Sequence, residues 1–533
     1  MPIKIKLLSI LLLAFFLRAY RIWEFPSLNP DEAALGYNAY SLLLTGKDEH
    51  GIAWPLHFRS FGDYKPGGYV YLAMPFVKLL GLHPLSVRLP NLILSTLAVY
   101  FLYKIVFLIT SNLNLSLLTA LLLAINPWHL HFSRGAWESS AALSFILIGS
   151  YFFLLSQKAK TKNTLWLSLS AVFFVFSLYL YHSARLFVPF FLLAQFLIHK
   201  SYFFKHKSFL TVPVLLGILL CLPVSLSFLK SGGAARFGGV GLTADSGPLS
   251  RSHELLNQHS SPDLFSRLIH NRRVTYSLSW LQKYISHFDP NFLFITGDEV
   301  PRSKSPDIGQ FFLLEFPLLI LGLYLFLHQS YFINHKSFFL SWLLAAPLAS
   351  SLTFQAPSAL RALFLVIPLT VFVSLGLYHL LSLFSFPYYL LLVTCYLYSL
   401  VFYLDAYYIH APKRYPFAWN TSFSELIPYL QSQKENFPQI FLTDKYDQPY
   451  ILYLFYSAYP PAKLHPQIKL TPPDRFGFST VRQIDNLVFG KIDWPAIPSG
   501  SLVIASDENI PILPWKNLDF PNGSPAFKIY TKP

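Results

Sequence analysis

The sequence predicts a mainly α, polytopic membrane protein: about eleven transmembrane helices, interfacial helices on the outer face, and a small C-terminal α/β outer domain. Three observations predict it. Hydrophobic residues make up 53% of the 533 residues and charged residues only 13%, against roughly 25% charged residues in a soluble domain. A soluble chain of this length cannot hide so much apolar surface with so few charges. The formal charge of +15, from 41 Lys and Arg against 26 Asp and Glu, falls mostly in short loops between apolar runs, the pattern of membrane loops and not of a nucleic-acid patch. Near residue 406 the composition shifts toward Pro, Asp, Asn and Gln, and the apolar runs shorten. Cys221 and Cys395, the two cysteines, lie in apolar runs and exclude a disulfide framework or a cysteine-based zinc site.

Taken in order, residues 1–17 have the basic start and apolar run of a signal sequence, but Arg18, Tyr20, Arg21 and Trp23 follow in place of a cleavage site. This reads as a retained signal anchor. Further apolar runs lie near 88–108, 115–127, 138–156, 164–181, 186–199, 209–229, 311–328, 337–354, 361–381 and 388–405. Lys4 and Lys6 favour a cytoplasmic start while Arg18 and Arg21 oppose it, so the later loops decide. Lys158, Lys160 and Lys162, then Lys200, Lys205 and Lys207, mark cytoplasmic loops. Residues 66–82 are apolar but broken by Pro66, Gly67, Gly68, Pro75, Lys78 and Gly81, and fall short of the ~20 residues a span needs. They read as an interfacial helix on the outer leaflet. The N-terminus is then inside and the C-terminus outside.

These assignments divide the chain into a membrane domain, 1–405, with outer loops at 24–87 and 231–310, and an extracytoplasmic α/β domain, 406–533. In the latter, 424–433 and 449–459 read as helices, 439–443 and 501–506 as strands, and 481–490 is ambiguous. The Gly-rich stretch 232–241 follows a span and lacks the strand–turn–helix setting of a dinucleotide fingerprint, so it reads as a lid hinge.

With this topology nearly every unusual polar residue lies on the outer side, which points to a site assembled there from several loops. Asn29-Pro30-Asp31-Glu32 opens a helix: Asn29 is a good N-cap, Pro30 suits the first position, and Glu32 three residues on completes a capping box. Asp31 is surplus to that cap and available to accept a proton. Asp63-Tyr64-Lys65-Pro66 offers a carboxylate beside an ammonium suited to a phosphate; an exposed turn with a local ion pair is the plain alternative. His131, Arg134 and Glu138 are expected on one helical face, where Arg134 and Glu138 also fit an ordinary surface salt bridge. His182 and Arg185 repeat the pattern at the next outer turn, and Arg361 stands at the mouth of a later span. Several cations at headgroup level suit a lipid phosphate.

The first-loop pair Asp31-Glu32, followed by Asp63-x-Lys65-Pro66, resembles the GT-C glycosyltransferases of the protein O-mannosyltransferase and lipid A aminoarabinose transferase superfamily. Asn126-Pro-Trp-His-x-His-Phe-Ser-Arg134, Tyr181-His-Ser-Ala-Arg185 and Ser286-His-Phe-Asp-Pro-Asn-Phe-Leu-Phe look like a bacterial branch of it, and the resemblance covers roughly residues 5–410. Where related bacterial enzymes show Lys-Pro-Pro, this chain has Lys65-Pro66-Gly67-Gly68, which loosens the backbone. The resemblance implies a GT-C fold and a hexosyl- or pentosyltransferase at the outer face of the plasma membrane. It implies transfer of a sugar from a polyprenyl-phosphate donor to a hydroxyl acceptor on a lipid, glycan or protein. Asp31 would be the base, with Glu32 and Asp63 beside it. Lys65, Arg134, Arg185 and Arg361 would hold the donor phosphate, with His131, Glu138 and His182 in support.

Independently, the absence of an Asp-x-Asp motif, a P-loop and a Rossmann fingerprint makes a nucleotide sugar a poor donor candidate, and no nucleotide cofactor is expected. A carboxylate pair is compatible with a divalent ion, but no His/Asp spacing specifies one, so no metal ligand is assigned. No nucleic-acid partner is expected; membrane lipid is. A transporter or lipid-linked glycan flippase is the main alternative, and would place ionisable residues or broken helices near mid-membrane. A scaffold or receptor for the outer domain has no need of acids and cations at the ends of many spans. A polysaccharide ligase or polymerase differs only in carrying a longer lipid-linked donor.

Overall fold

The computed structural model describes all residues except 1–2, 159–162, 206, 231–240, 262, 329–334, 384 and 475–477. The expected hinge at 232–241 and the loop lysines Lys160 and Lys162 therefore lie outside the described residues, apart from Gly241. Each of the eleven apolar runs contains a helix: α1 (Ile3–Ala19), α4 (Pro84–Thr110), α5 (Leu113–Ile125), α7 (Glu138–Lys158), α8 (Asn163–Leu180), α9 (Ala184–Ile198), α10 (Lys207–Lys230), α11 (Glu315–His328), α12 (Lys336–Ala345), α13 (Val366–Leu383) and α14 (Phe386–Asp405). Between them come α2 (Pro30–Thr45), α3 (Gly68–Leu80) and the two-turn α6 (Pro127–Ser133). Among the described residues, six helices are long and apolar enough to cross a membrane, and seven if the bent pair α5–α6, at 57°, forms one span. This is a multi-pass membrane protein. The other apolar helices are each shorter than 18 residues. Helix α3, at 13 residues, is too short to cross alone.

The chain forms two compact units. The first comprises Met1–Leu17, Leu94–Phe132 and Ser139–Val401; the second comprises Arg18–Ile93, Ser133–Glu138 and Phe402–Pro533. The expected division at 405/406 follows the sequence alone, whereas the second unit also takes in Arg18–Ile93 and Ser133–Glu138. In the first unit α11 and α13 cross closely. A Cβ on Gly322 would lie 1.7 Å from the Phe372 carbonyl oxygen, and one on Gly376 2.2 Å from that of Leu318. Small residues at such a crossing let two apolar helices approach where lipid offers no hydrophobic drive.

In the second unit, residues after 406 build a six-stranded sheet in the order β4-β5-β3-β6-β8-β7. The strands are β3 (Ile440–Leu442), β4 (Gln483–Ile484), β5 (Leu487–Phe489), β6 (Leu502–Ala505), β7 (Lys516–Asp519) and β8 (Pro525–Thr531). The central β3 pairs in parallel with β5 and β6, and the remaining pairings are antiparallel. Helices α15 (Phe423–Gln433) and α16 (Pro449–Tyr456) match the expected helices. The ambiguous 481–490 is the β4–β5 hairpin, and β7 and β8 are additions to the sequence reading. Upstream, β1 (His57–Ser60) and β2 (Asp63–Pro66) form a separate hairpin.

Candidate active site

Helix α2 begins as the sequence predicts. The Glu32 amide donates to Asn29 Oδ1 at 3.1 Å, and the Asn29 amide donates back to Glu32 Oε2 at 3.3 Å. The carboxylate of Glu32 does far more than close this box. Arg88, at the start of α4, donates from Nε to Oε1 at 2.8 Å and from Nη2 to Oε2 at 2.6 Å, and the Ala136 amide donates to Oε1 at 2.7 Å. The remaining Arg88 donors reach the carbonyls of Ile22, Pro26 and Ser27. Glu32 is 1% exposed and Arg88 is fully buried. A buried ion pair is tolerable only when its other hydrogen-bonding capacity is met in this way. Glu32 thus ties α2, α4 and the 134–136 segment together, and its oxygens are engaged by protein.

Asp31, one residue earlier, points elsewhere. Its carboxylate is 41% exposed and pairs with the Lys65 ammonium, which is 18% exposed. Lys65 stands on β2, its Nζ 5.4 Å from the centre of the Phe61 ring. The hairpin that presents it turns at Phe61-Gly62, where φ is +55° and +87°, the positive values that a tight two-residue turn requires. Asp63 follows the turn, and its Oδ1 accepts from the Tyr64 amide at 2.8 Å. Gly67 has a specific cause: a Cβ there would lie 2.5 Å from the Phe58 ring. The departure from Lys-Pro-Pro is therefore fitted to a close approach, and Lys65 still reaches Asp31.

The expected helical face of His131, Arg134 and Glu138 does not exist. Helix α6 ends at Ser133 and α7 starts at Glu138, so the three residues do not share a helix. The intervening turn is held by long-range bonds: Asn91 Nδ2 donates to the Gly135 carbonyl at 2.7 Å, and Glu32 holds the Ala136 amide. Arg134 is buried, donating to the carbonyls of Arg18 at 3.0 Å, Tyr20 at 2.7 Å and Phe25 at 3.2 Å, with its guanidinium against the rings of Tyr407 and Tyr408. Glu138 is the first residue of α7, where the helix dipole favours an acid. His131, in the first unit, shares a hydrogen bond between Nε2 and the Arg302 carbonyl at 2.8 Å.

The first unit holds a cavity of about 620 Å³ lined by apolar side chains together with Tyr181, His182, Arg185, Thr353 and Arg361. Arg185 Nη1 lies 3.4 Å from His182 Nδ1, and its guanidinium stacks over Phe228 at 5.5 Å. Arg361 Nη1 donates to the Gln355 carbonyl at 3.2 Å. Three of the sequence-predicted residues, His182, Arg185 and Arg361, thus line one apolar cavity; Asp31, Lys65 and Asp63 belong to the other unit.

Sequence reasoning passed over several residues. Asp298 fixes the segment that carries Arg361: its Oδ2 accepts from the Ala359 amide at 2.6 Å and its Oδ1 from the Val300 amide at 2.8 Å. His287 is buried against the same segment, its Nε2 2.7 Å from Ser350 Oγ and accepting from the Ser358 amide at 3.4 Å. Burial holds its imidazole down at about 4, so it is neutral. In the second unit Glu49 is fully buried; its amide donates to Asn38 Oδ1 at 2.9 Å, and Asn38 Nδ2 donates to its Oε1 at 3.4 Å. Burial, helped by the adjacent Asp48 charge, pushes the Glu49 carboxyl up to about 8. The run Lys47-Asp48-Glu49-His50 was the available signal, a charge cluster in a chain otherwise poor in charge. Among the described residues no group of three or more His, Cys, Asp or Glu is placed to hold a metal ion.

A family model described as dolichyl-phosphate-mannose-protein mannosyltransferase matches residues 8–228. No curated protein matches the chain. Among solved structures, ArnT from Cupriavidus metallidurans in the apo state is 12% identical, with a TM-score of 0.46 over 95% of this chain and 93% of that one. The same enzyme bound to undecaprenyl phosphate gives the same values. The Archaeoglobus fulgidus oligosaccharyltransferase AglB, in complex with an inhibitory peptide and a dolichol-phosphate, is 13% identical with a TM-score of 0.47, over 85% of this chain and 63% of that one.

Proposed function

We propose that the protein is a membrane glycosyltransferase that moves a sugar from a polyprenyl-phosphate donor to an acceptor hydroxyl at the outer face of the plasma membrane. The observation that carries this reading is the division of labour between two adjacent acids. Glu32 is consumed by Arg88 and two backbone amides, while Asp31 stands 41% exposed at a helix start, paired with Lys65. The family-model match over 8–228 spans Asp31, Lys65 and Arg185 and agrees with a lipid-phosphate sugar donor.

In this mechanism the acceptor oxygen attacks the anomeric carbon from the face opposite the phosphate. The bond between that carbon and the phosphate oxygen breaks, the polyprenyl phosphate leaves with the bonding electrons, and Asp31 takes the acceptor's proton. Arg185 and Arg361 take the lipid phosphate, and the apolar walls of their cavity receive the first isoprene units. Arg134 keeps its structural place on three carbonyls.

Transfer assayed in membranes with synthetic polyprenyl-phosphate sugars tests the reading. Asp31→Asn should bind donor and fail to transfer; transfer at the wild-type rate removes Asp31 as base. Orientation is tested separately, in a background with Cys221 and Cys395 replaced by serine. A cysteine at the exposed position Leu513 should react with an impermeant reagent from outside, and one at Lys200 should not.

A further inference from the structure

The first unit has a second opening, at the other end of its helices. Arg361 precedes the first residue of α13, Val366, whereas Tyr378 and Ser382 occupy its last turns, about 18–24 Å further along the helix. This cleft, of about 680 Å³, lies between α1, α5, α13 and α14. The helix registers give its depth profile. Lys6 and Asn114 lie in the first turns of α1 and α5, at the mouth; Ile10, Leu117 and Leu121 lie one to two turns deeper.

We infer that this cleft seats an anionic glycerophospholipid, with its phosphodiester on the Lys6 ammonium and the Asn114 amide and its acyl chains along Ile10, Leu117 and Leu121. Charge is the first argument. Lys4 and Lys6 stand at this end; α1, α5 and α13 contain no Asp or Glu, and the single acid of α14, Asp405, is its last residue, at the far end. The second is which polar groups are already engaged. The Tyr378 hydroxyl accepts from Asn112 Nδ2 at 3.0 Å, Tyr389 donates to the Leu381 carbonyl, and Ser382 donates to the His379 carbonyl at 2.7 Å. Among the described residues no hydrogen bond or ion pair is recorded for the Lys6 ammonium or the Asn114 side chain. The third is shape. A free phosphate has no use for the leucine floor, and a neutral hydrocarbon none for the lysine; a lipid with an anionic head uses both. Helix α1 turns other apolar side chains outward, with Leu8 55% and Phe16 64% exposed, as expected of a lipid-facing helix. Lysines at the start of a first span also favour the leaflet rich in anionic lipid. None of this rests on the proposed catalytic reading.

Native mass spectrometry of the full chain in detergent, titrated with phosphatidylglycerol or with phosphatidylcholine of the same acyl composition, tests the inference. One phosphatidylglycerol should be retained per chain, about tenfold or more in preference to phosphatidylcholine. Lys6→Glu should lower phosphatidylglycerol retention about tenfold or more, the worth of one charge-assisted bond, and leave phosphatidylcholine unchanged. Leu121→Trp, which fills the floor, should lower retention of both lipids, and Asn114→Leu reads the opposite side of the mouth should Lys6→Glu fail to fold. Equal retention of the two lipids by the wild type, or unchanged phosphatidylglycerol binding in both mouth variants, overturns it.

Discussion

In the unit that carries α2, Arg88 and Arg134 are buried with their donors on a carboxylate and on backbone carbonyls. In the helical unit, Arg185 and Arg361 stand at the wall of an apolar cavity. All four are arginines near the ends of apolar helices, and sequence spacing does not separate them. What separates them is burial among main-chain carbonyls: Arg88 and Arg134 each donate to three, whereas Arg185 donates to that of Leu178 and Arg361 to that of Gln355 at a cavity wall. Segment 18–29 wraps Arg88 and Arg134, and nothing local to either residue announces it. The same contrast holds for the adjacent acids Asp31 and Glu32.

That contrast breaks most visibly at the acids. Asp31→Asn should lower transfer by about 10²–10⁴, the usual worth of a general base, with Tm and donor affinity kept. Glu32→Gln should do the reverse. It still closes a capping box but leaves the Arg88 guanidinium buried without its counter-charge, a loss of roughly 3–5 kcal/mol, read as lost folded protein. Were Glu32→Gln stable and inactive while Asp31→Asn remained active, the two roles would be exchanged. Arg134→Ala should resemble Glu32→Gln, strongly destabilising because three carbonyls lose their donor, with donor affinity unchanged in whatever protein folds.

These acids also show how far the sequence was legible. The capping box was readable because Asn29 and Glu32 are three residues apart and the motif is local. The bonds from Glu32 to Arg88 and Ala136 span 56 and 104 residues, and no pattern encodes them. The face shared by His131, Arg134 and Glu138 failed for the same reason: spacing assumes a continuous helix, and Asn91 and Glu32 hold it open at Gly135 and Ala136. The apolar runs were readable because burial in lipid demands unbroken hydrophobicity, and each of them contains a helix. Strands β3 and β6 sit at the centre of the sheet, with mostly buried side chains. Strand β7 lies at the edge, paired only with β8, and the two are joined through a Gly523 turn with polar neighbours, which hid them.

Glu49 sharpens the comparison through pH. Its carboxyl is raised to about 8 in the fold, above the roughly 4.3 of an exposed glutamate. Between these values the native state binds the proton that the unfolded chain has released, so stability falls as pH rises through this window. The stabilisation relative to high pH is full below the unfolded value and gone above about 8, and amounts to a few kcal/mol. The neighbours facing Glu49 are Asn38, Asp48, His50, Lys65, Tyr37 and Tyr450. Thermal unfolding measured from pH 5 to 9 should show a smaller decline for Glu49→Gln than for the wild type. Equal slopes would place the Glu49 proton elsewhere.

Arg361→Ala acts on the cavity side of the comparison. Its guanidinium holds one protein carbonyl, Gln355, so stability should change by less than about 1 kcal/mol, as for surface substitutions generally. Affinity for a polyprenyl phosphate should fall by roughly 1.5–3 kcal/mol, the value of a hydrogen bond to a charged group. Asp298→Asn should lower the same affinity less, since it retains one acceptor for the segment that positions Arg361. Unchanged affinity in Arg361→Ala would leave the cavity without a phosphate role.

The smallest expected effect belongs to Asp63. Sequence reasoning set it beside Asp31 as a second acid, and alternation along β2 puts it on the same side of the strand as Lys65. Its Oδ1, however, accepts from the next residue's amide directly after the Phe61-Gly62 turn, which is what a short polar side chain does at a turn whether or not catalysis needs it. Asn supplies the same oxygen, so Asp63→Asn should keep the hairpin to within about 0.5 kcal/mol. The charge it removes is a modest influence on Lys65, whose recorded salt-bridge partner is Asp31. Transfer should therefore change by less than about threefold, measured beside Asp31→Asn in the same membranes. A drop of a hundredfold or more in Asp63→Asn, with donor binding intact, would move a catalytic task from the helix start to the hairpin and make the pair of acids, rather than Asp31 alone, the reaction centre.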